Sequence, residues 1–454
     1  MDALYIGIYL VLQILLGVYL TRFIKSESDF FLGGRNLPTY AIAFSIFATW
    51  FGAETCIGSA GAVFQSGLSG SKAEPIGYGL CLLLTAMIIA PRIWNEKYIT
   101  MGDFIKDRHS ELTEKIFIWI ILPSSLIWAA AQIKAFGEVL SVATSFDIST
   151  SINIATIFVI LYTLLGGFLG DVITDVVQGA ILAIGLIVII YFTLSHPGIE
   201  LSNIPTEKLN MLTPDKSFLE RMDSWLIPIF GSLMSQELIA RVLSAKNATQ
   251  ATRASYAGTL LYLMIGTIPI ILGLVGSQFD FQLQEAEQFL PTIAKFVLPK
   301  WVYIIFAGAL ISAILSTIDS ILLAISALVS HNFLVPILKI ESPKKKLNLA
   351  RIVLVVSGIV AYIIAIYGES VYEMVETASS FGTSGILIIS LAGIFQKEKS
   401  PRLASMTLIF GISLSILLDI ILELPAAFAL NITIVTLFYL IGKKVIALKS
   451  SPSV

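Results

Sequence analysis

The chain is a succession of apolar stretches, each about as long as a bilayer is thick. A membrane-spanning helix needs about 20 apolar residues, and thirteen stretches qualify, at 3–23, 38–66, 74–95, 114–143, 150–168, 171–195, 223–244, 254–277, 299–333, 348–368, 373–396, 403–420 and 424–447. Only 13% of the 454 residues are charged, whereas about 25% is typical of soluble proteins. The sequence therefore predicts an all-α polytopic membrane protein with about thirteen transmembrane helices.

Basic residues are distributed unevenly between the connections. Most of the 29 lysines and arginines fall in alternate connections, one of which carries the run Lys344-Lys345-Lys346. Basic residues collect on the cytoplasmic side of membrane proteins, which predicts an outside N-terminus and a cytoplasmic C-terminus. Arg22 and Lys25 follow the first apolar stretch, whereas a cleavable signal peptide has its basic residues first. We expect a retained first helix and, from the short loops, a bacterial inner membrane.

Catalytic and ATP-binding motifs are missing from the sequence. The three histidines have no metal-ligand spacing, the two cysteines lie in apolar segments, and no GxxxxGK[ST] loop occurs. The formal net charge of −2 gives no sign of a nucleic-acid partner. We therefore expect a secondary transporter in a lipid bilayer, not an enzyme, with a transporter-like solute sensor as the alternative.

A polar cluster interrupts the ninth apolar stretch. Residues 312–320 read Ser-Ala-Ile-Leu-Ser-Thr-Ile-Asp-Ser, and a charge at the centre of a membrane helix costs about 2.5–3.5 kcal/mol on insertion scales. These side chains need partners, either a neighbouring helix or a bound cation. Ser316, Thr317 and Asp319 offer oxygen ligands, which a small hard cation such as sodium prefers.

Two other stretches contain small and polar residues that make poor continuous membrane helices. The second stretch carries Gly52 and Glu54, and the seventh carries Pro228 and Ser235-Gln236-Glu237. Transporters with inverted repeats hold substrate and ions at two such broken helices. Five stretches separate the two breaks, as a five-plus-five repeat requires. The alternative is that small residues only allow close helix packing.

Three segments resemble the sodium:solute symporter family. They read FFLGGRNLP at 30–38, GGFLGDVITDVVQ at 166–178 and AILSTIDS at 313–320. The resemblance implies a LeuT-type fold and sodium-coupled uptake of a small organic solute by alternating access. It also implies a single membrane transport domain over 1–454, divided into an extra N-terminal helix at 3–23, a first repeat at 38–195, a second repeat at 223–396 and C-terminal helices at 403–447.

The same resemblance assigns the coupling ion. It implies that Na⁺ is bound by two side-chain hydroxyls and three backbone carbonyls, those of Ser316, Thr317, Ala48, Phe51 and Ala313. Hydroxyls that only bond back to their own helix are the alternative. Asp319 and Asp175 are candidates for a second cation site or for the ion release path. Asp171 is expected to cap a helix N-terminus.

Residues around the two breaks resemble those of high-affinity choline transporter-like members of the family. Aromatic rings attract cations, and the likeness implies a solute site formed by Trp50, Glu54, Thr55, Tyr78, Trp128, Ser235 and Gln236. Ser235 replaces an expected tryptophan, and Glu54 replaces a small residue. We expect a small zwitterion or cation, choline- or amino-acid-like, with a monocarboxylate or a sugar as the alternative.

Three further charged residues have open assignments. Glu54 is expected to pair with Lys134, or Lys134 with Glu138 at i+4 spacing, since a buried unpaired charge is costly. Alternatively, Glu54 meets a substrate amine and Lys134 a substrate carboxylate. Arg241 is expected to act as a gate or loop anchor at the inner face.

Overall fold

Helices are the only regular secondary structure in the described part of the computed structural model, which comprises residues 2–71, 74–95, 97–144, 146–211, 217–368, 370–396 and 400–450. The first half contains α1 (Asp2–Thr21), α2 (Glu27–Leu32), α3 (Thr39–Trp50), α4 (Glu54–Gly70), α5 (Ile76–Ile93), α6 (Met101–Arg108), α7 (Glu111–Thr144), α8 (Ile148–Leu194) and α9 (Phe218–Leu226).

The second half begins at the break of the seventh apolar stretch. It contains α10 (Gln236–Leu243), α11 (Ala248–Gly276), α12 (Phe289–Val297), α13 (Lys300–Leu338), α14 (Pro343–Tyr367), α15 (Val371–Ser380), α16 (Thr383–Phe395), α17 (Pro401–Ile421) and α18 (Ala427–Ser450). Helices α2, α6 and α12 are short connections between the long apolar elements.

The number of spans agrees approximately with the predicted thirteen. Within the described residues, nine helical segments are long and apolar enough to cross a membrane, and the bent pairs α3–α4 and α15–α16 raise the number to 11. Helix α8 covers two predicted spans, and α1, whose described apolar part is Leu10–Thr21, supplies the remaining one. The all-helical polytopic fold is therefore confirmed.

The fifth and sixth predicted spans are joined without a loop. Their two helices, labelled together as α8 (47 residues), meet at Gly167, whose backbone is not helical (φ +55°, ψ −169°). Only glycine adopts this conformation without strain, and a Cβ here would lie 2.8 Å from the ring of Phe30. The Tyr162 hydroxyl lies 2.9 Å from that of Thr174, so the chain reverses direction at the glycine pair 166–167 and the two halves of α8 lie side by side.

Both predicted helix breaks are present. Between α3 and α4 the helix unwinds at Phe51 (ψ 52°), and the two halves differ in direction by 58°. Between α9 and α10 a π-helical turn at Ile227–Gly231 is followed by four non-helical residues, 232–235. A third bend, of 47°, separates α15 from α16 at Gly382 (φ +69°) and was not predicted.

Helix α13 lies at the centre of the molecule. In the apolar 18-residue segment of α13, 78% is buried inside the protein, whereas the share is only 33% in the corresponding segment of α8. It packs against α7, α8, α14 and the end of α3, so the polar residues at 312–320 all face protein. Exposed apolar side chains such as Ile184 and Ile305 form the outer surface, as expected where lipid is the solvent.

Candidate functional site

Three polar side chains converge on the backbone break after α3. A Cβ added to Gly52 would lie 2.9 Å from both Glu54 Oε2 and Thr317 Oγ1, and 3.0 Å from Gln132 Oε1. These side chains come from α4, α13 and α7. The absence of a side chain at Gly52 therefore leaves room for three oxygen atoms around an unwound stretch of backbone.

Thr317 joins the central helix to the last turn of α3. Its hydroxyl donates a hydrogen bond of 2.9 Å to the carbonyl of Thr49 and lies 3.4 Å from the carbonyl of Ala313, one turn earlier on α13. An unwound helix end has carbonyl groups without helical partners. A hydroxyl beside such carbonyls is a suitable environment for a desolvated monovalent cation.

Ser316 points toward a different group. Its hydroxyl donates to Asp175 on α8, and the Ser45 hydroxyl donates to the other oxygen of the same carboxylate at 2.5 Å. All three residues are buried. Ser316 and Thr317 thus connect α13 to two neighbours, one through a carboxylate and the other through backbone.

A buried arginine compensates two carboxylates beside this position. Arg241 Nη2 lies 2.9 Å from Asp171 and 3.3 Å from Asp175, and it donates at 2.6 Å to the hydroxyl of Ser320. The two aspartates and the arginine are at most 1% exposed. An unpaired charge buried this deeply would cost several kcal/mol, so the arginine and the two aspartates are stable only when they are paired with one another.

Glu54 is held by an amide side chain. Gln132 Nε2 donates to Glu54 Oε2 at 2.7 Å, while Gln132 Oε1 accepts the backbone N–H of Ala53 at 2.8 Å. The amide therefore fixes the carboxylate at the start of α4. The Glu54 carboxylate can accept more hydrogen bonds than this one, since an ionised carboxylate has about four lone-pair sites.

Aromatic and hydroxyl groups form the remaining walls. The rings of Trp50 and Trp128 meet edge to face with centroids 5.9 Å apart. The Tyr78 hydroxyl is hydrogen-bonded to Ser379 at 3.1 Å, and Ser379 to Ser232 at 3.2 Å. This hydroxyl chain separates a cavity beside Glu54 and Tyr78 from one beside Trp128 and Ser235.

Comparison with known proteins agrees with this architecture. The sequence profile of the sodium:solute symporter family matches residues 30–411. The chain belongs to the sodium:solute symporter family. A high-affinity choline transporter of Caenorhabditis elegans is 26% identical over 81% of this chain and 69% of its own length. A high-affinity proline transporter of Bacillus subtilis is 26% identical over 84% of each chain.

The fold has a close structural counterpart. A Na⁺-coupled sialic acid symporter, solved in a substrate-bound outward-open state, has a TM-score of 0.82 over 99% of this chain and 98% of its own, at 19% identity. This confirms the predicted LeuT-type fold. The symporter spans between 59% and 70% of the length of the animal choline transporters. Family membership makes it a sodium-coupled solute transporter and not an enzyme.

Most of the predicted solute residues lie around the two cavities of the symporter. Trp50, Glu54, Tyr78, Trp128 and Ser235 are brought together there.

Thr55 and Gln236 point elsewhere. Thr55 donates to the carbonyl of Trp50 and contacts Glu74, at 3.1 and 2.9 Å. Gln236 accepts the backbone N–H of Met101 at 2.6 Å. These contacts hold the two breaks in place, and the contact of Thr55 and Gln236 with solute stays a prediction.

One of the two predicted partners of Lys134 is within electrostatic range. Lys134 attracts the carboxylate of Glu138, and its ammonium donates to the carbonyl of Gly368 at 3.1 Å. Glu138 also accepts from Gln288 Nε2 at 2.8 Å, and Glu54 accepts from Gln132. These contacts agree with the alternative that pairs Lys134 with Glu138, and a role of Lys134 toward the substrate stays a prediction.

Asp171 and Arg241 bind each other. Asp171 lies in the first turn after the reversal at Gly167 and is bonded to Arg241 and Ser320 instead of capping a helix. Arg241 is buried within α10, so it does not anchor a loop, and its role as a gate stays a prediction. Hydropathy does not show that α10 packs inside the protein.

Gln132 and Glu237 were missed as site residues. A weak signal existed for each: Gln132 is one helical turn after Trp128, and Glu237 follows the second break as Glu54 follows the first. The amide of Gln132 costs less free energy in a membrane helix than a charged side chain, so the sequence alone gives little reason to predict a functional role for it.

Proposed function

We propose that this symporter uses the inward sodium gradient to import a small organic zwitterion or cation, choline- or amino-acid-like, across a bacterial inner membrane. The convergence of Thr317, Gln132 and Glu54 on the break at Gly52 carries the proposal. This convergence supports an ion site and a solute site that meet at one helix break, as alternating access requires. The N-terminus lies outside and the C-terminus in the cytoplasm.

Sodium binds between α3 and α13. Its ligands are the hydroxyls of Ser316 and Thr317 with the carbonyls of Ala48, Phe51 and Ala313. The hydrogen bond from Thr317 to the carbonyl of Thr49 supports this assignment, because it holds the hydroxyl against the unwound end of α3. When sodium arrives, it interacts with the neighbouring carbonyl oxygens in place of the hydrogen bond from the Thr317 hydroxyl.

Asp175 and Asp319 serve the release path or a second cation. Ser316 donates to Asp175, so one residue belongs to both the proposed ion site and the carboxylate network. Asp319 accepts from Thr163 within the same buried region. Sodium leaving its site meets these carboxylates on the side of Arg241.

The solute binds beside Glu54, between the tryptophan pair and Tyr78. The aromatic walls support a cationic group, and the carboxylate provides the opposite charge. On the other side of the breaks, Gln236 is bonded to Met101 of α6, and Asn332 donates to Asp103 at 2.9 Å. These contacts close the path toward the predicted cytoplasmic face until sodium and solute have bound.

Uptake into proteoliposomes tests the sodium site. We expect uptake to need an inward sodium gradient, and Thr317→Val to weaken sodium activation by about tenfold or more, equivalent to at least about 1.4 kcal/mol. The matched control is Thr259→Val, whose hydroxyl bonds back to Ser255 within α11. Uptake that is indifferent to sodium, or an unchanged sodium response in Thr317→Val, would contradict the proposal.

A further inference from the structure

The entrance to the solute site is strongly acidic. A cavity of about 380 Å³ opens on the face predicted to lie outside. It is lined by five carboxylates, those of Glu220, Asp223, Glu373, Glu376 and Asp419, and none of the described residues that line it is basic. A mouth lined by one sign of charge concentrates ions of the opposite sign. This entrance therefore selects for cations before any solute reaches the breaks.

The entrance continues toward Glu54. Ser224, Ile227 and Glu376 line both the outer cavity and the smaller cavity that contains Glu54 and Tyr78. The two cavities therefore adjoin, and Glu376 lies between the outer carboxylates and Glu54.

A second buried carboxylate lies beyond the hydroxyl chain. Glu237 is 4% exposed and lines the cavity of Trp128 and Ser235. It occupies the first turn of α10, after the second break, whereas Glu54 begins α4, after the first. Each broken helix therefore contributes one carboxyl group beside the cavities.

Neutral donors face the two carboxylates. The Trp128 indole N–H is directed at Glu54 and the Ser235 hydroxyl at Glu237, in neither case with full hydrogen-bonding geometry. Both carboxylates therefore keep acceptor capacity beside the aromatic wall.

The chemistry of the two cavities excludes several ligand classes. A carboxylate on the solute would meet Glu54 or Glu237, and a solute with one ammonium group could be bonded to only one of them. The described residues contain no group of three or more metal-ligating His, Cys, Asp or Glu side chains. Indole and phenol rings suit an apolar linker and attract ammonium groups.

We propose that the solute is a linear organic diammonium compound, with one ammonium group at Glu54, the other at Glu237 and its methylene chain along Trp128 and Tyr78. This assignment keeps the cation of the proposed function, replaces its zwitterion and choline-like alternatives, and depends on sodium-coupled import. The three hydroxyls between the cavities (Tyr78, Ser232 and Ser379) accept additional N–H bonds as the ligand passes them.

Three four-carbon compounds of matched length test the proposal. They are 1,4-diaminobutane, 4-aminobutan-1-ol and 4-aminobutanoate, which carry two ammonium groups, one ammonium group and a zwitterion. Thermal stabilisation of the purified protein in sodium reports binding of each. We expect the diamine to bind about tenfold or more tightly than the amino alcohol, and the zwitterion to give no stabilisation.

Substitution of Glu237 identifies the second ammonium position. In Glu237→Gln the preference for the diamine over the amino alcohol should fall to within about threefold. Glu237→Asp, which keeps the charge, should retain a clear preference, and it replaces Glu237→Gln if that variant does not fold. Glu341→Gln, at an exposed carboxylate away from both cavities, is the matched control and should leave the preference unchanged.

Uptake separates failure of this inference from failure of the proposed function. Sodium-driven uptake of the amino alcohol, the zwitterion or choline with no preference for the diamine would overturn the diammonium assignment and leave sodium-coupled transport intact. Diamine binding that needs no sodium would support the solute class and contradict coupling. A protein that binds none of these compounds contradicts the diammonium assignment.

Discussion

Two groups of buried carboxylates lie within the same core, and they differ in the charge that faces them. Asp171 and Asp175 share the guanidinium of Arg241. Glu54 has the neutral amide of Gln132, and Glu237 lines a cavity with Trp128 and Ser235. In a low-dielectric interior, a carboxylate paired with a cation belongs to the stable fold, whereas a carboxylate with a neutral partner can still bind a cationic ligand.

The position of each group relative to the helix breaks follows the same division. The arginine network connects α8, α10 and α13. Glu54 and Glu237 stand at the first turn after each break, where backbone and side chains border on cavities. The carboxylates bonded to the guanidinium thus lie in contacts between helices, and the other two lie beside the cavities.

The largest expected effect comes from removing the permanent countercharge. Arg241→Met would leave Asp171 and Asp175 buried without a cation, and breaking a buried pair on one side costs about 3–5 kcal/mol. We expect a large loss of thermal stability and of folded yield. Arg253→Met, at an exposed position on α11, is the control. A variant as stable as the control would show that the arginine is not the partner that stabilises these carboxylates.

Much of this comparison was visible in the sequence, because lipid penalises charge. A carboxylate inside an apolar stretch requires a partner, and this predicts functional or paired roles for Glu54, Asp175 and Asp319 from the sequence alone. The broken helices were equally visible, since Gly52 and Pro228 are poor residues for a continuous membrane helix.

The partners of those carboxylates were not visible. Hydropathy places Arg241 at the end of a span, and only the packing of α10 against α8 and α13 brings it to Asp171. Similarly, glycine at position 167 suits either a loop or a tight turn, because it adopts positive φ in both. The sequence therefore does not show how closely the two spans are joined. Pairing depends on tertiary packing, which one sequence does not specify.

A methyl group at the first break tests whether the space at Gly52 belongs to the ion site. In Gly52→Ala the new Cβ would lie 2.9 Å from Thr317 Oγ1 and Glu54 Oε2, so both side chains must move. We expect sodium activation of uptake to weaken by about tenfold or more. Gly166→Ala is the control, since a Cβ there has nothing within 4 Å. Equal sodium responses in the two variants would contradict a sodium site at the break.

The smallest effect should have the opposite sign to the first. Glu237→Gln exchanges a buried carboxylate for a neutral amide of the same shape, and a buried amide costs less than a buried charge. We expect the ligand-free protein to gain about 1 kcal/mol or less of stability, because active-site groups are commonly kept at the expense of stability. Thermal unfolding without solute, compared with Glu341→Gln, measures the change. Destabilisation as large as that of Arg241→Met would mean that Glu237 is a structural carboxylate like Asp171, and the contrast between the two groups would no longer hold.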